Sequence, residues 1–179
     1  MKYMTRYESP LGIITLAAQG ESLAGLWLPG QKYHGAAMAE DILEKDDAPI
    51  FTAVKQWLDS YFAGENPDVS ALKLGPSGSE FRQEVWKILL EIPYGQVLTY
   101  GDIAKKVALK MNRASMSGQA VGGAVGHNPI SIIIPCHRVV GSNGSLTGYA
   151  GGIDAKIRLL KLEGADMSGL FVPKKGSAL

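Results

Sequence analysis

The sequence predicts an α+β protein in two parts: a small N-terminal α/β-type domain with an antiparallel sheet, and a helical C-terminal domain. Three observations predict it. Residues 12–28 hold two short Ile/Leu-rich runs separated by Gln19-Gly20-Glu21-Ser22, the pattern of a hairpin. From Phe81 onward apolar residues recur at helical spacing. Between these regions Gly75-Pro76-Ser77-Gly78-Ser79 breaks both patterns. The expected division is 1–76, 77–167 and a short tail, 168–179.

Taken in order, Gly12 to Ala18 and Leu23 to Leu28 read as the two strands. Pro49 to Ala63 reads as a helix, with proline in its first turn and Val54, Trp57, Leu58, Tyr61 and Phe62 on one face. His34 stands among Gly and Ala and reads as a surface loop residue. After the boundary, Ser77 and Glu80 form a candidate capping box for a helix whose face is Phe81, Val85, Ile88, Leu89 and Ile92. Pro93-Tyr94-Gly95-Gln96 is a turn. Thr99 can cap a short helix from Tyr100 to about Val107, and a slim Gly/Ala helix follows from about Ser117 to Gly126. Two short helices joined by a polar turn fit a helix-turn-helix, although two ordinary packed helices share the pattern. So many glycines weaken an isolated helix; their benefit is a surface that lets something bulky come close. The last helix starts at Asp154, with Ile153, Ile157, Leu160 and Leu162 as apolar contacts and Gly164 as the C-terminal cap.

With 179 residues, 46% hydrophobic and 20% charged, the chain has the composition of an ordinary soluble globular protein. No apolar run approaches a membrane span, and the first residues carry no apolar signal segment, so a cytoplasmic location without membrane attachment is expected. The formal charge of +1 hides an asymmetry. Residues 1–76 hold six Lys/Arg against ten Asp/Glu; residues 77–179 hold twelve against seven. A basic half fits a polyanionic partner, and chance partition of surface charge is the competing explanation.

The single cysteine lies in Ile132-Ile133-Ile134-Pro135-Cys136-His137-Arg138-Val139, where an apolar, strand-like stretch delivers it to a corner. A lone cysteine is by default a small buried hydrophobe. Here it is flanked by a rigid turn residue, a base and a cation, the setting of a thiolate nucleophile. Adjacent residues of an extended chain point apart, so the sequence does not put His137 in direct contact with the sulfur, and a bridging water is compatible with the spacing. Glu163 stands at a helix C-terminus, against the helix dipole. It is either a solvated surface residue or a carboxylate turned inward to orient a histidine.

Phe81-Arg82-Gln83-Glu84-Val85-Trp86, Pro93-Tyr94-Gly95-Gln96-Val97-Leu98-Thr99-Tyr100 and Ala120-Val121-Gly122-Gly123-Ala124 begin a series of motifs. Asn128-Pro129, Ile134-Pro135-Cys136-His137-Arg138-Val139, Gly148-Tyr149-Ala150-Gly151-Gly152 and Leu159-Leu160-Lys161-Leu162-Glu163-Gly164 complete it. Together they span almost all of residues 79–165, and the chain closely resembles the O6-alkylguanine-DNA alkyltransferases, also called methylated-DNA–protein-cysteine methyltransferases. The N-terminal part agrees only in size and general pattern.

The resemblance implies a winged helix-turn-helix that binds double-stranded DNA through the minor groove and flips an O6-alkylguanine nucleotide into a pocket. The alkyl group then passes irreversibly to the protein, once per molecule, and O4-alkylthymine stays open as a second substrate class. Carried over, Cys136 is the acceptor, His137 the water-mediated base, Glu163 the residue that orients His137, and Asn128 the brace of the active-site turn. Tyr100 lies by the flipped base and its phosphate. Gln119, Arg138, Val139, Tyr149, Ala150 and Gly151 are expected at the substrate and DNA, with Tyr149 and Gly151 in the loop that closes the pocket. No cofactor is implied, and the protein is expected to act as a monomer.

The chain departs from the family pattern at Gln119, where many members carry an arginine that fills the gap left by the flipped base. Glutamine can hydrogen-bond but has no permanent charge, and Arg113 stands as the other candidate. Some members bind zinc in the N-terminal domain; with one cysteine, already committed, no metal is expected. The main rival function is a lesion-sensing protein that binds alkylated DNA without repairing it. Such relatives lack the acceptor cysteine, so Cys136 argues against that reading. A transcriptional regulator would need a further DNA-binding module, and a cysteine hydrolase would have to turn over.

Overall fold

Gly12 and Gly20 decide where the first strands turn. Both have left-handed φ, +106° and +60°, and a side chain on Gly12 would also run into Pro29. They close the tight connections between β1 (Lys2–Ser9), β2 (Gly12–Gln19) and β3 (Ser22–Trp27). The computed structural model describes residues 1–31 and 41–174; His34 and the end of the tail lie outside the described residues. β4 (Ile42–Glu44) joins the edge of β1 in parallel, giving the order β3-β2-β1-β4. The expected hairpin is the β2–β3 pair. β1 and β4 went unread because β1 has no regular alternation of polar and apolar residues, and β4 is three residues long with its partner far away in sequence.

α1 (Pro49–Phe62) starts with proline in its first turn and buries Ile50, Phe51, Val54, Trp57, Leu58 and Tyr61. Phe62 is only half-buried. Residues 1–77 form one unit together with Pro129–Ile133. That distant segment is held on β3: Leu26 donates its N–H to Pro129 O at 2.8 Å, and Ser131 donates to Leu26 O at 3.0 Å. Gln31 Oε1 accepts from both the Leu28 N–H and the Ser131 hydroxyl. The Ile-rich run around it is therefore not a strand. Ile132 takes a left-handed φ of +70°, rare for a β-branched residue, and residues 131–133 form a turn.

The second unit holds 78–128 and the chain from Ile134. α2 (Glu80–Leu90), α3 (Tyr100–Lys110) and α4 (Gly118–Gly126) pack on one another. Trp86 fixes α2 to α4 by donating Nε1–H to Ala124 O at 2.9 Å. The cap of α2 is Ser79, which accepts from the Arg82 N–H, and not Ser77. Both serines precede Glu80, and the helix begins one residue after the nearer. Thr99 and Asp102 form a complete capping box, and Ser117 caps α4. β5 (Leu98–Thr99) pairs in parallel with β6 (Val139–Val140). α5 (Ile153–Leu162) closes with Gly164 at φ +71°, the left-handed residue expected there. The helix starts one residue before Asp154, after Gly152. No described helix is long and apolar enough to cross a membrane.

Candidate active site around Cys136

The corner that carries the thiol is built by its own backbone. Pro135, at φ −82° and ψ 65°, is the centre of an inverse γ-turn closed by Cys136 N–H to Ile134 O at 2.8 Å. Cys136–Arg138 then form one turn of 3-10 helix before β6. The three side chains thus leave a tight turn, which replaces the extended geometry expected from the sequence.

Asn128 braces this corner by donating Nδ2–H to Ile134 O at 2.8 Å. Cys136 is buried, and burial pushes its thiol up; the Asn128 amide, the Lys156 charge and the backbone N–H groups of Cys136 and His137 oppose that shift. The residue named for the acceptor is therefore one whose anion is met by donors on several sides.

His137 lies against Glu163, with Nε2 2.6 Å from Oε2 and neither side chain exposed. A carboxylate accepts here, so Nε2 carries the hydrogen and Nδ1 the lone pair. Burial is the main reason the ring is held below the usual histidine range. Glu163 pulls it up, while Arg138 and Lys156 push it further down. Burial works to raise the Glu163 carboxyl, but its bonds and charges with His137 and Arg138 outweigh this and hold it well below the carboxylate range. Glu163 caps α5, so the misplacement against the helix dipole is offset by cations and donors turned toward it. Gly95 adds its N–H to Oε1 at 3.2 Å. Its φ of +77° and the 2.8 Å from its would-be Cβ to Glu163 O leave no room for a side chain.

Arg138 and Val139, expected at the substrate and DNA, both carry their side chains into the interior of this unit. Val139 is fully buried in β6. The Arg138 guanidinium turns inward, donating Nε–H to Glu163 Oε1 at 2.7 Å, Nη2 to Oε2 at 3.1 Å and Nη1 to Ile92 O at 2.7 Å. The Tyr94 ring covers it at 5.7 Å. A buried carboxylate without this partner would be costly, and the fold spends the arginine on it.

A second network lies beside the first. Lys156, fully buried on α5, donates Nζ to Val139 O and to Thr147 O. Burial lowers its ammonium to about 8, and Cys136 pulls it back up. Tyr100 donates its hydroxyl to the same Thr147 O at 3.1 Å. Burial first, then Cys136, pushes that phenol up to about 12, so it is a donor at neutral pH. Gly148 makes room for it: φ is +71°, and a Cβ would stand 2.9 Å from the Tyr100 hydroxyl. Tyr149 is buried edge-on to His137, ring centroids 6.5 Å apart, and Ala150 and Gly151 follow in a half-buried turn.

The structure therefore gathers Cys136, His137, Glu163, Asn128, Tyr100 and Tyr149 in one region of one unit. Gln119 and Arg113 are elsewhere and exposed, Gln119 in the first turn of α4 and Arg113 in the connection before it. Side chains on Gly118, Gly122 and Gly123 of α4 would meet nothing, so internal packing does not explain those glycines. Sequence reasoning missed Lys156, Gly95 and the inward role of Arg138. Lys156 could have been found, because it falls at helical spacing with Leu159 and Leu160 on the buried face of α5. Among the described residues no group of three or more His, Cys, Asp or Glu could hold a metal.

Chemically, the corner offers a thiol with stabilisers for its anion, and a neutral imidazole backed by a carboxylate. That set suits transfer of an electrophilic carbon to sulfur. Residues 80–165 match the family described as 6-O-methylguanine DNA methyltransferase, DNA binding domain, and residues 2–76 match its ribonuclease-like domain. A methylated-DNA–protein-cysteine methyltransferase of Haemophilus influenzae is 41% identical over 90% of this chain and 86% of its own length. One from Methanosarcina acetivorans is 43% identical over 91% of this chain and 99% of its own. Among solved structures, Mycobacterium tuberculosis OGT in complex with DNA superposes with a TM-score of 0.78 at 40% identity, covering 90% of this chain and 92% of that one.

Proposed function

The chain belongs to the 6-O-methylguanine DNA methyltransferase family, and we propose that it repairs DNA by moving the alkyl group of O6-alkylguanine onto Cys136. The observation that carries this is a histidine next to the sole thiol in sequence, its Nε2 held by a buried carboxylate and its Nδ1 buried without a hydrogen bond to any described residue. Attack on an alkyl carbon needs a soft anionic nucleophile. His137 takes the thiol proton at Nδ1 through a water, and Glu163 steadies the imidazolium that forms. The S–C bond forms as the C–O6 bond breaks, and the guanine regains the proton that the thiol gave up. The thioether is a poor leaving group, so each molecule acts once.

The partner is duplex DNA; the tuberculosis neighbour is itself in complex with DNA. O6 is hidden in a stacked duplex, so the nucleotide is flipped out. The bare face of α4 enters the minor groove, Gln119 occupies the vacated stack, and Tyr100 with Tyr149–Gly151 borders the pocket. The net positive charge of residues 77–179 supports phosphate binding there. We assign residues 1–76 to a supporting domain, 77–167 to DNA binding and transfer, and 168–179 to a tail. The protein works as a monomer in the cytoplasm, where a reactive thiol stays reduced. Mixing the protein with O6-methylguanine duplex and mapping the modified peptide tests the reading. The expected product is S-methylcysteine at Cys136, with Cys136→Ala binding the duplex but accepting nothing. Binding without transfer by the parent chain makes it a lesion sensor instead.

A further inference from the structure

We propose that Arg138 is a positioning residue for alkyl transfer, whose buried charge keeps His137 in its neutral, proton-accepting form. The inference rests on the transfer reading above for its kinetic consequence, but not for its structural one.

Arg138 spans both Glu163 oxygens, at 2.7 and 3.1 Å, and its third contact goes to the Ile92 carbonyl. The guanidinium stays charged at every working pH. Glu163 is thus already neutralised before His137 gains a proton. A carboxylate facing a buried histidine alone favours the imidazolium and raises its pKa. Such a pair rests with the ring protonated, and a protonated ring cannot take the thiol proton. With Arg138 closing the pair, a proton on His137 would add a buried positive charge with no free counter-charge.

The other groups facing the ring act in the same sense or are neutral. Lys156, from α5, adds a second positive charge that disfavours the imidazolium. Tyr149 meets the ring edge-on, and Tyr94 covers the far side of the guanidinium. Tyr100 keeps its proton at neutral pH. Among the described residues facing the ring, Cys136 is left as the group that becomes an anion, and it does so as His137 takes its proton. His137 Nδ1 is buried and makes no hydrogen bond to any described residue, which leaves its lone pair for that proton. Arg138 therefore acts through the carboxylate it shares with His137 and through its own charge on the ring.

The test separates charge from packing. Arg138→Gln removes the charge and keeps an amide; Arg138→Lys keeps the charge and loses the fork. The imidazole 15N resonances of His137 are followed from pH 5 to 9 in the parent and both variants, with thermal melts as a check on folding. The expected result is a rise of about 1–3 pH units in the His137 titration for Arg138→Gln, the usual span for a neighbouring charge, and little change for Arg138→Lys. The acid limb of the pH–rate profile for O6-methylguanine DNA should move up with it, at least about tenfold slower on that limb. Unchanged His137 titration in a folded Arg138→Gln variant overturns the proposal, as does an equal shift in both variants. Because the NMR arm needs no alkyl transfer, it stands even if the chain repairs nothing, and absence of transfer in the parent chain would count against the functional reading alone.

Discussion

Glu163 Oε2 accepts from His137 Nε2 at 2.6 Å across 26 residues of sequence, in a place where neither side chain meets solvent. The contact joins the C-terminus of α5 to the 3-10 turn that carries the thiol, so the fold and the chemistry depend on the same bond. Several expected outcomes come from it and from its neighbours.

Glu163→Ala leaves the Arg138 guanidinium buried without its counter-charge. A loss of about 3–5 kcal/mol in denaturant unfolding is expected, the range for breaking a buried pair from one side. Glu163→Gln keeps the shape and should cost less. It should slow alkyl transfer by about 10- to 100-fold, a share of what general-base catalysis contributes, with duplex affinity nearly unchanged. Parent-like transfer by Glu163→Gln would remove the carboxylate from the mechanism.

His137 also sets an acid limit on stability. Its folded pKa is lowered, first by burial, so the unfolded chain takes up the proton first. The stabilisation is complete above the unfolded value of about 6.5 and is lost as pH falls through the depressed folded one. Denaturation midpoints of the parent should fall between pH 7 and 5, and those of His137→Gln should fall less steeply. Parallel slopes would mean that the ring is protonated in the folded protein.

Gly148→Ala places a methyl group where the structure leaves 2.9 Å to the Tyr100 hydroxyl, at a φ of +71°. The left-handed backbone costs a non-glycine residue about 1–3 kcal/mol. The added carbon also displaces the hydroxyl from Thr147 O. Stability and transfer should both drop, and Tyr100→Phe, which loses only a hydrogen bond of about 1 kcal/mol, should be milder in stability. A Gly148→Ala protein as stable as the parent would show that this loop relaxes freely.

Gln119 stands exposed in the first turn of α4. Gln119→Ala should reduce repair in duplex DNA while hardly altering reaction with free O6-benzylguanine, which needs no flipping. Gln119→Arg should match or exceed the parent on duplex. Equal losses on both substrates would make the residue structural and turn attention to Arg113.

Much of this was legible in the sequence where the determinants are local. Pro49 and Thr99 marked helix starts because capping is decided within one turn, and Glu163 drew notice because a carboxylate at a helix end lacks a dipole reason. What could not be read depends on distant partners. Ile130 pairs with Leu26, more than a hundred residues away in sequence, so an apolar run that looks like a strand folds as a turn with Ile132 left-handed. The pairing of Arg138 with Glu163 was out of reach for the same reason, since no spacing rule supplies that distance.

The central claim is that Cys136 accepts one alkyl group and never gives it up. The most direct measurement titrates O6-methylguanine duplex with increasing protein and counts repaired lesions against active molecules, with intact mass following the protein. The account expects a plateau at one lesion per molecule and one methyl group per chain, absent in Cys136→Ala. Repair continuing beyond one equivalent, or a methylated product in the Cys136→Ala protein, would contradict it.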